Sequence, residues 1–189
     1  MSAIARQPVS GRVWLDIHGF TGDEVGDPVH HGGPDKALHH YPFDHYSFWR
    51  EHLGDHKLLA RPGAFGENIA TRGIIESEAR VGDRFRLGEA LVELSHGRQP
   101  CWKLDHRFGV SGKSSVMAAI VRTGRCGFYY RVIEPGHVAE GDVMRLVERG
   151  AAEWTVDRVF RLLVAGGHRR EPEAVRALVQ LPALAQTWR

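Results

Sequence analysis

Apolar positions along most of this chain recur at short, strand-like spacings, and they shift to helical spacing near the end. Residues 9–17, V-S-G-R-V-W-L-D-I, alternate partly and are rich in β-branched and aromatic side chains, which predicts a strand. A turn at 19–23 leads into a glycine-rich loop, and 37–41 then reads as a second strand stopped by Pro42. Asp44 stands where it can cap a helix through Leu53, with Tyr46, Trp49 and Leu53 at helical spacing. Residues 80–87 and 90–94 predict a hairpin across Gly88-Glu89. A helix over 114–123, a strand over 128–133, a turn at Pro135-Gly136 and a strand over 143–147 follow. Beyond Glu148 the pattern changes. Thr155 is a cap for 156–164, whose Val159, Leu162 and Leu163 share a face, and Gly166-Gly167 ends that helix. Pro172 opens a second helix to Leu181, and Pro182 a short third segment to Trp188. The expectation is a β-rich body, 1–150, followed by a three-helix unit, 151–189. Many short strands divided by Gly/Pro turns favour a barrel or sandwich, a mainly β (α+β) class, over a doubly wound sheet.

Composition adds limits. A chain of 189 residues with 42% apolar and 25% charged residues is an ordinary globular protein. Its formal charge of +2, with Lys and Arg scattered, gives no field that argues for nucleic acid. Two cysteines, Cys101 and Cys126, make no disulfide framework. The start M-S-A-I-A-R-Q-P-V has no secretory apolar region, and no long apolar segment points to a membrane, so a cytoplasmic setting is expected.

Three stretches carry candidate chemistry. The first, H-H-G-G-P-D-K-A-L-H-H-Y-P from His30 to Pro42, joins imidazoles, the backbone freedom of Gly32 and Gly33, and the cation of Lys36. Such a loop can cradle an anion; it can equally be a Gly-Pro turn between strands. The second, Gly63-Ala64-Phe65-Gly66-Glu67-Asn68, offers a carboxylate and an amide to a heterocycle, or a loop whose Phe65 plugs the core. The third, Gln99-Pro100-Cys101-Trp102-Lys103-Leu104, has Arg98 and Lys103 near a thiol. Nearby cations favour the thiolate, which is both nucleophile and soft-metal ligand, whereas a lone cysteine is otherwise an inert buried group. Cys126, beside an aromatic strand, reads as structural. Twelve histidines invite zinc, yet the adjacent pairs 30/31 and 39/40 point to opposite faces of a strand, and no Cys-x-x-Cys or His-Glu-x-x-His occurs. Neither a Gly-x-Gly-x-x-Gly after a strand nor a Walker loop is present.

Taken in order, these stretches resemble the MOSC domain, the module at the C-terminus of molybdenum-cofactor sulfurases, and within it the stand-alone YiiM-type group. The matching pieces are V-H-H-G-G-P-D-K-A-L (29–38), Tyr41-Pro42, G-A-F-G-E-N (63–68), Val81-Gly82-Asp83, P-C-W-K-L (100–104) and Gly127-Phe128-Tyr129 leading to Pro135-Gly136. The tail from about Ala152 resembles the small three-helix domain of that group. The resemblance implies a MOSC-type β-barrel with peripheral helices, and a pocket for the molybdenum cofactor, a pterin dithiolene carrying molybdenum and a phosphate. It implies Cys101 as the molybdenum ligand or sulfur-bearing residue, with His31 and Lys103 beside it as the catalytic constellation. Gly32, Gly33, Lys36, Phe65, Glu67, Asn68 and Arg98 are the implied cofactor-binding residues. The implied reaction is two-electron reduction of N-hydroxylated compounds, hydroxylaminopurine-type base analogues included, with His31 as proton donor. No flavin, iron–sulfur or nicotinamide motif occurs, so a separate electron-donor protein is the expected partner. The alternative is a non-redox carrier of sulfur or cofactor through a Cys101 persulfide. Pyridoxal phosphate would need a Schiff-base lysine, Lys36 or Lys103, and the motif context argues against it. A homodimer is compatible with the sequence. The chain departs from the pattern at His30, which precedes the motif histidine. Family members also begin with a strand ahead of the segment matching 2–5, so either the start lies upstream or an edge strand is missing.

Overall fold

The strands assemble as two antiparallel sheets. The computed structural model describes residues 4–23 and 32–189, so the His30-His31 pair lies outside the described residues. In chain order the elements begin with β1 (Arg12–Asp16), β2 (Gly19–Phe20), β3 (Leu38–His40) and α1 (Tyr46–Leu53). The predicted hairpin forms as β4 (Arg84–Leu87) and β5 (Ala90–Gly97), followed by α2 (Lys103–Phe108) and α3 (Val116–Thr123). Then come β6 (Phe128–Glu134), β7 (Gly136–Ala139), β8 (Arg145–Glu148), α4 (Val156–Leu163) and α5 (Pro172–Leu178). The larger sheet is ordered β3-β6-β5-β4-β8 and the smaller β2-β1-β7.

The class is α+β as expected, but the sheets do not close into one barrel. Pro135 shows why. It has no N–H to continue the ladder, so the chain leaves the large sheet after Glu134, which pairs with Leu91. It enters the small sheet at Gly136, opposite Leu15. The segment read as a simple turn is thus a sheet-switching corner, and β7 is a strand. Asp44 does not cap α1. A 3-10 turn, Phe43–His45, precedes that helix, and the Asp44 carboxylate accepts from the Gly73 N–H at 3.1 Å.

The helical tail forms as its pattern dictates. The Thr155 hydroxyl accepts from Arg158 N–H at 3.2 Å, and Val156, Val159, Phe160 and Leu162 are buried on one face of α4. They join one continuous core with Leu38, Trp49, Phe65, Leu94 and Phe128 of the body, and Leu178 and Leu184 extend it. The third tail segment is a single 3-10 turn, Gln186–Trp188. It reaches back to the body: Ala185 N–H donates to Ser95 O at 3.1 Å, and Gln186 N–H to the Asp35 carboxylate at 3.1 Å.

Candidate active site

Three neighbouring strands build the site from one row of side chains. His39 on β3, Tyr129 on β6 and His96 on β5 lie opposite one another in register. Directly paired residues share a face of the sheet, so these three rings stand side by side. The centroids are 5.0 Å apart for His39–Tyr129 and 5.1 Å for His96–Tyr129, with interplanar angles of 34° and 27°. The phenol is clamped between two imidazoles. Burial holds His96 down at about 3, with Lys36 adding to the effect. Burial, then the Arg98 charge, holds His39 well below its ordinary value. Both rings are neutral at physiological pH. Tyr129 is half-buried, and burial pushes its phenol upward against the opposing pull of Arg98 and Arg6, with Cys101 also in electrostatic reach.

The turn that follows α3 fixes the spacing. Gly127 has φ +70°, and a Cβ there would come within 2.7 Å of His40 O, 2.8 Å of Tyr41 Cδ2 and 3.1 Å of His39 Nε2. Its N–H donates to the buried Glu76 carboxylate at 2.7 Å, whose other oxygen meets His45 Nε2 at 2.6 Å. Its carbonyl accepts from Arg98 N–H at 2.9 Å. Glu76 thereby ties the start of β6 to the 3-10 turn ahead of α1.

Arg98 follows β5 and is 7% exposed. Among the described residues its guanidinium makes one hydrogen bond, from Nη1 to Phe65 O at 2.9 Å, and no carboxylate partners it. A nearly buried guanidinium without an acid is an uncompensated cation, which favours an anion beside it. His39 Nε2 is likewise buried with no hydrogen-bond partner among the described residues.

The loop 63–68 serves this arrangement through its backbone. Glu67 accepts from Tyr46 Oη (2.5 Å), Gly63 N–H (2.7 Å) and Phe65 N–H (3.0 Å), which curls the loop around its own carboxylate. The carbonyls so turned outward receive arginines: Phe65 O takes Arg98, Ala64 O takes Arg107 Nε at 2.7 Å, and Gly66 O takes Arg6. The Phe65 ring itself is in the core, stacked on Tyr41 at 4.0 Å. Asn68 Oδ1 accepts from His39 N–H at 2.9 Å, while Nδ2 donates to Asp23 at 2.7 Å. Glu67, Asn68 and the Phe65 side chain are therefore engaged inside the fold. Their internal partners set the shape of the loop.

The glycine-rich loop is anchored from below. Gly33, at φ 102°, turns the chain into the 3-10 turn Pro34–Lys36. The Asp35 carboxylate receives Arg131 Nε at 2.7 Å as well as the tail's Gln186 N–H, and its carbonyl receives Ser95 Oγ at 2.6 Å. Lys36 is thus delivered beside His96, half-buried, with burial lowering its ammonium pKa. Cys101 is half-buried at the turn into α2, where Leu104 N–H donates to its carbonyl at 3.0 Å, and Lys103 opens that helix. Lys36, Arg98 and Cys101 accordingly lie within electrostatic reach of the row of rings. His31 belongs to residues outside those described. Sequence reading missed His39, Tyr129, His96, Glu76, Arg6 and Arg107; the register of β3, β6 and β5 brings the three rings together, and no local motif announces them.

Two shallow clefts lie elsewhere, one lined by Val81, Arg84, Glu148, Arg149 and Leu181, the other by Arg86, Gly88, Asp142 and Arg145. Neither is lined by Cys101, Arg98 or Lys36. Among the described residues no group of three or more His, Cys, Asp and Glu is placed to hold a bare metal ion, and no helix is long and apolar enough to cross a membrane.

The MOSC domain profile matches residues 27–145, and that of the YiiM-like 3-alpha helix domain matches 154–189. The chain belongs to the MOSC family. It is 40% identical to Protein YiiM of Escherichia coli over 179 residues, which is 88% of this chain and 79% of that protein. A crystal structure of YiiM from Escherichia coli superposes with a TM-score of 0.82 at 33% identity, covering 95% of this chain and 82% of that one. A protein of Gibberella moniliformis named Reductase is 36% identical over 165 residues, 87% of this chain and 29% of its own length. The family match agrees with the ordered motifs, and the domain and the helical tail follow one another as they do in the described fold.

Proposed function

We propose that this MOSC protein is a molybdenum-cofactor-dependent reductase of N-hydroxylated compounds, with Cys101 as the protein's ligand to the metal. The observation that carries the reading is a nearly buried guanidinium, Arg98, with one hydrogen bond and no acid partner among the described residues, three residues from a half-buried thiol. The donor set suits a metal that arrives already chelated by its own dithiolene. Such a group needs one soft thiolate from the protein and cations for its phosphate, and does not need a cluster of ligands. Arg98 and Lys36 would hold the anionic end, and Cys101 would supply the thiolate. When bound, the cofactor supplies the two-electron chemistry. The chain's own residues orient and shield: the neutral His39 and His96 keep added positive charge out of the row, and the loop 63–68 aims Arg98 without screening it. The relative named Reductase supports the same class of reaction.

The test is molybdenum and oxidised-pterin analysis of protein from a cofactor-replete host, wild type beside Cys101→Ala, followed by reduction of an aliphatic hydroxylamine with a viologen donor. Stoichiometric metal that is lost in the variant, together with turnover in wild type, is the expected result. Wild type that carries no molybdenum from such a host would refute the reading and turn attention to a Cys101 persulfide.

A further inference from the structure

The chain contains four tyrosines, and three of their hydroxyls are engaged. Tyr41 donates to Arg125 O at 3.0 Å, Tyr46 to Glu67, and Tyr130 meets His40 Nδ1 at 3.1 Å. The Tyr129 hydroxyl has no hydrogen-bond partner among the described residues, and it is not sealed in the core as His39 Nε2 is. Its ring is held by the flanking imidazoles, 5.0 Å and 5.1 Å away centroid to centroid, so the oxygen at its tip has a fixed position. Besides the two imidazoles, Arg98, Arg6, Cys101 and Cys126 are within electrostatic reach of it. A phenol with no partner among the described residues, held in a rigid clamp within electrostatic reach of the proposed ligand thiol, is an unassigned functional group.

Resting on the reading above, we propose that Tyr129 is the catalytic acid of the reduction, giving its hydroxyl proton to the oxygen that leaves the substrate nitrogen. The N–O bond breaks, and two electrons from a low-potential electron-transfer protein, replaced in the assay by reduced viologen, end on nitrogen. The Tyr129 proton converts the leaving hydroxyl to water, a second proton from solvent completes the amine, and the phenolate regains its proton from water. A phenol carries its proton at neutral pH and suits this role, whereas the two neutral imidazoles beside it hold no extra proton to give.

The experiment compares wild type with Tyr129→Phe, which keeps the ring and removes the proton. With a hydroxylamine substrate, kcat is expected to fall about 100-fold, the lower end of what a positioned acid contributes, with KM unchanged. With the O-acetyl analogue, whose acetate leaves without protonation, the variant should match wild type. Molybdenum content should be equal in the two proteins. Independently of turnover, N-acetylimidazole should acetylate Tyr129 and spare the other three tyrosines, as read by peptide mass. Unchanged hydroxylamine reduction, equal losses on both substrates, loss of molybdenum, or acetylation elsewhere would each overturn the proposal. If wild type reduces neither substrate, the reductase reading falls and this one with it; if only the Tyr129→Phe pattern fails, the reductase reading stands.

Discussion

Acidification should destabilise this protein steeply between pH 6.5 and 5.5, because three buried histidines are neutral in the folded state. His40 is held at about 3 by burial and by the nearby His45, His96 also at about 3, and His39 well below 6.5. In the unfolded chain each returns to about 6.5. The unfolded state therefore binds protons that the native state refuses, so stability rises with pH through this window and is lost as pH falls below about 6.5. At pH 5.5 each histidine costs about 1.4 kcal/mol and the three together about 4 kcal/mol, a large part of the roughly 5–15 kcal/mol that holds a domain folded. The carboxylates held low by basic or N–H partners, Asp35 and Glu171 among them, respond at lower pH and do not mask the effect. Urea denaturation at pH 7.5, 6.5 and 5.5, at constant salt, measures it. His40→Gln supplies the control: an amide can still meet Thr71 Oγ1 and Tyr130 Oη, now 3.0 Å and 3.1 Å from the imidazole, but takes up no proton. Its slope should be about one third smaller than that of wild type. Equal stability at pH 5.5 and 7.5, or the same slope in the variant, would refute the reasoning.

Three further outcomes follow from the site. Gly127→Ala should lose more than about 2 kcal/mol, because alanine at φ +70° is strained and its Cβ meets His40 O at 2.7 Å; thermal denaturation checks it, and a shift under 2 °C would contradict it. Glu76→Gln should cost about 2 kcal/mol by replacing a charged acceptor shared by Gly127 N–H and His45, and should broaden the Tyr129 ring signals in NMR; unperturbed rings would show that the turn needs no such anchor. Arg98→Lys should retain the fold while lowering pterin and molybdenum content at least about tenfold, since lysine cannot reach Phe65 O and present a planar donor fork at once; full cofactor content in that variant would remove Arg98 from the anion site.

The parts legible in the sequence are those fixed by near neighbours. The Thr155 cap, the Gly88-Glu89 hairpin and the proline at the head of α5 each act within a few residues, and each element formed where its pattern lay. α2 escaped notice because six residues, Lys103–Phe108, give too little periodicity and no side chain caps them. The corner at Pro135 read as a turn because a strand changing sheets uses the same residues as a chain reversing direction. Lys36, Arg98 and Cys101 were visible as motif residues, and each is within electrostatic reach of a ring in the row. Glu67 looked like a ligand group because a carboxylate after a glycine loop is ambiguous until its acceptors are known, and here three donors from the fold occupy it. His39 and Tyr129 could not be paired from sequence at all, since β3 and β6 meet only through sheet order.

The bond from Gln186 N–H to Asp35 joins positions 151 residues apart. During synthesis, then, the loop that carries Lys36 emerges early but acquires this anchor only once Gln186 has followed, 151 residues later. Until Gln186 is in place, Asp35 is held by Arg131 and Ser95 alone among the described residues. Docking of the tail and the final setting of the cation loop thus become one event, because a single carboxylate joins them.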